Sequence, residues 1–355
     1  MSEHISRREF LQSTPVVAGA LALSTGVSKA MPAARTSAGE DTGATANRRS
    51  QTAATMRGPF RGTLCFFSKP VPQLSWPELA ESARHAGFGG IDLTVRASGH
   101  VLPERVATDL PQAVAAIRSQ GLEVPMITTE LLAADDPAAE PILSAASRLS
   151  IPFLKPGYYH YKFINVLAEL EEAGRRFQGL VELASKHGVQ VGYHNHAGYI
   201  GAPVWDMARV IEPLDPRWCG YYFDLCHATT EGGVGGWKIA ANLVMPRLKM
   251  IAAKDFVWKQ AGEHRWEAEN VPLGQGMSHW KDFVETLAQS DFHGPITIHE
   301  EYSIPGVSDS QGIALSREKV PEVMAAAKAD LNYLTSLIQE AYSEAQSNAA
   351  SELPR

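Results

Sequence analysis

From residue 59 onward, short apolar runs alternate with longer amphipathic stretches, the pattern of strands and helices that feed a parallel sheet. The apolar runs predict strands over 62–67, 90–96, 123–130, 152–157, 189–196, 220–224, 248–255 and 295–301. The stretches between them predict helices over 75–85, 103–119, 164–187, 203–211 and 278–289. Ser75-Trp76-Pro77-Glu78 opens the first helix with a capping residue and an early proline. Gly121 and Gly188 stop two others. Eight strands in about 290 residues match a closed (β/α)8 barrel, which makes the fold class α/β. The competing architecture, a doubly wound open sheet, needs a glycine-rich phosphate turn after its first strand, and Phe67-Ser68-Lys69-Pro70 is not one. An amphipathic stretch over 320–341 predicts a last helix, packed on the side of the barrel or on another subunit.

Alternation along each strand separates residues that face the helices from those that face the barrel interior. Ile296 and Ile298 fall on one face of the last strand, and Thr297, His299 and Glu301 on the other. In the fifth strand His194 and His196 point inward; in the sixth, Tyr222 and Asp224; in the seventh, Ala252 and Lys254. Thr94, Arg96, Glu130 and Lys155 do the same near the ends of strands two to four. Inward polar residues therefore collect at the C-terminal strand ends, where barrels of this kind keep their active sites.

The N-terminus reads as an address. Ser6-Arg7-Arg8-Glu9-Phe10-Leu11 precedes a short Ala-rich apolar stretch and Ser28-Lys29-Ala30, which predicts a twin-arginine (Tat) export signal over 1–30. That stretch is too short to remain as a membrane anchor. Residues 31–58 predict a linker with little to bury, 59–345 the barrel, and 346–355 a disordered tail. The expected location is periplasmic or secreted, with the Tat machinery as a transit partner.

Composition adds exclusions. A hydrophobic fraction of 45% and a charged fraction of 20% permit one well-buried core. A net charge of −7 disfavours a nucleic-acid partner, which needs a basic face. Three cysteines, Cys65, Cys219 and Cys226, form neither a disulfide framework nor a zinc knuckle.

Three stretches carry a resemblance to a known family. Tyr193-His194-Asn195-His196-Ala197-Gly198 closes the fifth strand, Tyr222-Phe223-Asp224-Leu225-Cys226-His227 the sixth, and Gly294-Pro295-Ile296-Thr297-Ile298-His299-Glu300-Glu301 the eighth. With Val271-Pro272-Leu273-Gly274-Gln275-Gly276, they resemble the sugar phosphate isomerase/epimerase and endonuclease IV superfamily, the xylose isomerase-like barrels. The resemblance implies a divalent metal and proton transfer beside a sugar carbonyl. It also implies a metal held by Glu, Asp, His and Glu from strands five to eight. Here those positions carry His194, Asp224, Ala252 and His299, so the implied ligands are His194, Asp224 and His299, with Glu301 available to complete the set. Two imidazoles with carboxylates suit Mn, Zn, Co or Fe.

Glu301 and Glu130 are the candidate general acid and base. Lys254 could polarise a carbonyl, take over the electrostatic role of the missing histidine, or form a Schiff base. His196, His227, Lys155, Arg96 and Tyr158 are candidate contacts to substrate hydroxyls, and 258–266 reads as a lid over the mouth. The function expected is an exported metal-dependent isomerase or epimerase of a sugar or keto-sugar, or a lyase on one. A Schiff-base aldolase using Lys254 or Lys155, and a non-catalytic sugar-binding barrel, are the alternatives. Self-association is open.

Overall fold

The apolar runs become eight parallel strands because each is buried on both sides, against helices outside and against its opposite numbers inside. The structure, a computed structural model, describes residues 58–304 and 315–351. The readings made over 1–57 lie outside the described residues.

The barrel is formed by β1 (Leu64–Phe67), β2 (Gly90–Thr94), β3 (Glu123–Thr128), β4 (Phe153–Lys155), β5 (Gln190–His194), β6 (Cys219–Asp224), β7 (Leu248–Ala253) and, after a hairpin, β10 (Ile296–Ile298). Each pairs in parallel with its neighbour, and β10 closes the ring on β1 with Leu64 opposite Ile296. The expected (β/α)8 architecture is the one observed. Helices α1 (Trp76–Ala86), α2 (Val106–Ser119), α3 (Ala139–Arg148), α4 (Val166–Lys186), α5 (Trp205–Ile211), α6 (Leu225–Val244), α7 (Trp280–Gln289) and α8 (Val320–Ser351) surround it. Ser75 and Glu78 form a reciprocal capping box at the start of α1, and Gly87, at φ 102°, ends that helix in the left-handed conformation that favours glycine.

The two faces of the strands separate as alternation predicts. Tyr221, Phe223, Ile251, Ile296 and Ile298 join the outer core shared with the helices. Met126, Tyr222, Met250 and Ala252 form a separate inner plug, with Phe153 packed on it. Two glycines permit close approaches. A Cβ on Gly192 would overlap the Met250 methyl, and one on Gly220 would overlap the Arg247 carbonyl oxygen.

Helices α3 and α6 were not expected from the pattern. Helix α6 contains Gly232, Gly233, Gly235 and Gly236, which carry a poor helix propensity. It is interrupted at Gly233, whose φ of 61° and ψ of −165° are not helical. The seventh strand is shorter than its sequence suggests. It ends at Ala253, and the chain then enters an antiparallel hairpin of β8 (Asp255–Gly262) and β9 (Arg265–Val271). This hairpin is the form taken by the segment read as a lid. Helix α8 runs to Ser351, beyond the end expected at 341. It packs on the barrel's flank: Val323, Ala327, Leu331 and Leu334 are buried, Lys281 of α7 reaches Glu340 at 2.9 Å, and the Tyr342 hydroxyl donates to the Phe292 carbonyl.

Candidate active site

The C-terminal mouth of the barrel opens into a cavity of about 470 Å3. It is lined by ten of the eleven residues selected from sequence: Arg96, Glu130, Lys155, Tyr158, His194, His196, His227, Lys254, His299 and Glu301. Asp224 lies at its floor, fully buried, in contact with His194 and Lys254. A larger hollow at the opposite end, near Arg61, Lys249 and His293, lies away from these strand ends.

Asp224 organises the floor. Asn195, one residue past β5, bridges to β6: its Nδ2 donates to the Asp224 carbonyl at 2.9 Å, and its Oδ1 accepts from the Asp224 amide at 2.7 Å. Asp224 is also the N-cap of α6, where its Oδ1 accepts from the His227 amide at 2.9 Å. With the backbone held and one carboxylate oxygen committed, Oδ2 faces the cavity. Around it stand His194 Nε2 at 3.1 Å, Lys254 Nζ at 3.3 Å and His227 Nε2 at 3.7 Å. Burial would lift the Asp224 carboxyl, but His227 and Lys254 hold it below its ordinary value.

The imidazoles are neutral. Burial, with Lys254 adding to it, pushes His194 well below its usual range. Its Nδ1 meets the Tyr158 hydroxyl at 2.7 Å, so the ring is gripped at both nitrogens. Burial also lowers His196, to about 4, and its ring lies 3.9 Å from that of His227. The His227 Nε2 is buried without a hydrogen-bond partner, a free position for a substrate hydroxyl. His299, expected beside His194 as a ligand, turns to Tyr222, with its Nε2 3.0 Å from the Tyr222 hydroxyl and its ring stacked on Phe67.

The charged residues divide sharply. Glu301 accepts from Lys69 at 2.6 Å and from Lys254 at 3.0 Å. Burial would raise its carboxyl, yet the two ammonium groups drive it well below the ordinary value. A carboxylate so held is a weak proton acceptor at neutral pH. Glu130 sits at the rim with its side chain 59% exposed, 4.0 Å from Arg96. Lys254 is buried, which by itself would lower its pKa, but Asp224 and Glu301 outweigh burial and keep it charged. A Schiff base from Lys254 is therefore disfavoured, because the nucleophile must be the free amine.

Lys155 is the opposite case. It is 3% exposed, its Nζ lies 3.5 Å above the Tyr158 ring, and no carboxylate pairs with it directly. Burial, with Arg96 adding to it, lowers its pKa to about 7. Beneath the cavity Asp92 is fully buried, accepts from Thr128 at 2.8 Å and is raised by burial to about 7.

Sequence reasoning missed Phe67, Lys69, Thr128, Tyr199 and Asn270 as lining residues, and placed Tyr222 inward without giving it a role. Lys69 had a usable signal, since it follows the C-terminal end of β1, the same position in the fold as the other selections. Asn270 had none, because it arrives on the return strand of the hairpin, where its Nδ2 donates to the Glu301 carbonyl at 3.3 Å. Asp255, next to Lys254, faces away from the cavity. Its carboxylate accepts from the amides of Gly274, Gly276 and Ser278 at 3.0–3.1 Å and so pins the loop after β9. A Cβ at Gly276 would overlap that carboxylate, and Gly274, at φ 82°, would bring one against the Tyr333 ring.

Residues 80–326 match the family described as the xylose isomerase-like TIM barrel. The chain belongs to that family. Among curated proteins, this xylose isomerase-like barrel is 21% identical over 150 residues to an uncharacterised protein of Methanocaldococcus jannaschii. The match covers 41% of this chain and 49% of the other, so the chain spans about half the length of the curated relative it matches. Among solved structures it is similar to a xylose isomerase domain protein from Planctomyces limnophilus, with a TM-score of 0.60, 17% identity, and coverage of 80% of this chain and 100% of that one. It is also similar to a xylose isomerase-like TIM barrel protein from Mycobacterium smegmatis in complex with magnesium (TM-score 0.58, 14% identity, 79% and 98% covered). A third is 3-keto-D-glucoside 4-epimerase from E. coli (TM-score 0.57, 14% identity, 78% and 99% covered). At these identities the likeness is one of fold.

Whether this xylose isomerase-like barrel can take the divalent ion that its family implies depends on the donors present. His194, Asp224 and His227 place one ligand atom each within 4.8 Å of one another, a possible His/Asp site. The charge around it is already balanced, however. Lys254 sits on the Asp224 oxygen that an ion would use, and Ala252 supplies no ligand from β7. A divalent ion about 4 Å from the Lys254 ammonium would meet a repulsion of about 8 kcal/mol at the effective dielectric of a protein site, and the Asp224 and Glu301 carboxylates that would offset it are already paired with ammonium groups. With Lys254 charged and in place, the site does not fit the ion.

Proposed function

We propose that this protein is a sugar-modifying enzyme that moves a proton at the carbon beside a carbonyl, as an isomerase or epimerase of an unphosphorylated sugar or keto-sugar. The observation that carries the reading is the pairing, in one polar cavity, of a carboxylate-held ammonium, Lys254, with a desolvated amine, Lys155. Near neutral pH Lys254 stays charged while Lys155, lowered to about 7, is neutral in a large fraction of molecules, and such a split separates the roles of electrophile and base.

In the forward step the Lys155 amine takes the proton from the carbon beside the carbonyl. The electron pair left behind forms the carbon–carbon double bond of an enediolate, and the carbonyl oxygen becomes an oxyanion facing the Lys254 ammonium. For isomerisation, Lys155 returns the proton to the former carbonyl carbon while the hydroxyl proton on the adjacent oxygen passes to the oxyanion, so that the carbonyl re-forms on the adjacent carbon. For epimerisation, a second acid protonates the original carbon from its other face, the carbonyl re-forms in place and Lys155 keeps the proton it took. His227 Nε2, His196 and Arg96 are placed to bind hydroxyls, and Tyr158 and Tyr199, stacked at 4.6 Å, offer an aromatic wall. The names borne by structural neighbours, an epimerase of a 3-keto-glucoside among them, support a sugar as the substrate class. We also propose that the enzyme works outside the cytoplasm, on the strength of Arg7-Arg8 and the apolar stretch that follows.

The test is solvent exchange. The protein is incubated in deuterated water with a panel of free ketoses and 3-keto-glycosides and followed by proton NMR. Deuterium entering at the carbon beside the carbonyl, with the signal lost in Lys155→Met, supports the reading. Absence of exchange and of product across the panel would sink it. A Schiff-base aldolase is the second reading, favoured by the lowered Lys155 amine beside Arg96. Borohydride trapping of a substrate adduct on Lys155 would select it.

A further inference from the structure

The positions that bind metal in the resemblance are altered in a coordinated way. Ala252 removes a ligand from β7, and two residues further along the same inward face Lys254 introduces a fixed positive charge. Its Nζ spans β6 and the end of β10, 3.3 Å from Asp224 Oδ2 and 3.0 Å from Glu301 Oε2. Lys69 balances the second carboxylate at 2.6 Å, so two carboxylates meet two ammonium groups. The Lys254 stem is held as well, because its side chain is buried and its carbonyl accepts from the Trp280 indole at 3.2 Å.

We propose that the Lys254 ammonium is the resident cation of this site, occupying the place of a divalent ion over a latent His194–Asp224–His227 ligand set. The inference deepens the proton-transfer reading by naming its electrophile, but occupancy of the site by Lys254 can be true or false whatever the reaction. A cation carried on the chain cannot be lost to a chelator, and it exposes a hydrogen-bond donor rather than an open coordination position. The preferred ligand is then a single carbonyl or enediolate oxygen, not a pair of oxygens chelated together.

The experiment measures metal binding directly. Full-length wild type, Lys254→Gln and Lys254→Met are dialysed against MnCl2 or ZnCl2, and bound metal is counted by ICP mass spectrometry, with folding checked by circular dichroism. Wild type is expected to stay substoichiometric. Either folded variant is expected to take up close to one equivalent, at least about a hundredfold more tightly, because the opposing charge is gone. That uptake should be abolished by adding His227→Ala. Stoichiometric metal on wild type would overturn the proposal, even if both variants failed to fold. Folded variants that remain metal-free would overturn it as well. Neither result depends on catalysis, so a failed substrate panel and a failed cation assignment are separate outcomes.

Discussion

Replacing Lys155 by methionine should make the protein more stable while removing its chemistry. A lysine whose pKa falls from 10.5 in the open chain to about 7 in the folded protein disfavours the charged folded state by about 5 kcal/mol. The sign follows from proton counting. Between pH 7 and 10.5 the unfolded chain binds more protons at this position than the folded one, so this contribution to stability rises with pH. The penalty is full below pH 7, shrinks to about 2 kcal/mol near pH 9 and vanishes above the open-chain value. Methionine has a similar length and no charge. It gives up the contact of Nζ with the Tyr158 ring, worth at most about 2 kcal/mol. The variant should therefore gain about 3 kcal/mol at pH 6 and lose most of that gain by pH 9. Urea denaturation of both proteins at pH 6, 7.5 and 9 gives the difference directly. A Lys155→Met protein that is less stable than wild type at pH 6, or whose stability difference does not change with pH, would refute the lowered amine. It would also remove the proposed base.

Two further changes test how the cavity is held. Asn195→Ala breaks both hydrogen bonds of the β5–β6 bridge and leaves a buried amide and carbonyl unpaired. It should cost about 2–4 kcal/mol, read by thermal or urea unfolding, and should lower kcat more than it raises KM because Asp224 loses its setting. Asp255→Ala releases the amides of Gly274, Gly276 and Ser278. Amide hydrogen exchange should accelerate across 272–278 and along the hairpin, while the remaining barrel strands keep their protection.

The barrel was legible because its cause is local. Each strand is a short apolar run, and alternation alone separated Ile296 and Ile298 from Thr297 and His299 and placed Lys254 on the inward side. The glycine-rich middle of α6 hid a helix, because its stability comes from packing Trp237, Ala240 and Val244 against the barrel rather than from propensity. The site was legible as a list of residues and much less so as a set of roles. Lys254 carried three open readings, and the distances that bear on them, to Asp224 and Glu301, involve residues 30 and 47 positions away in sequence. The ion pair of Glu301 with Lys69, from the loop after β1, could not be read from the last strand. The lowered amine of Lys155 depends on burial and on Arg96, neither of which can be read from its own strand.

Lys254 and Asp255 are adjacent, yet one faces the cavity and the other anchors the loop below the hairpin. The peptide joining them is thus a pivot shared by the cationic centre and by the structure standing beside the mouth. With Lys254 held on Asp224 and Glu301 and Asp255 held on the amides of Gly274, Gly276 and Ser278, one planar amide ties the floor of the cavity to the base of the hairpin.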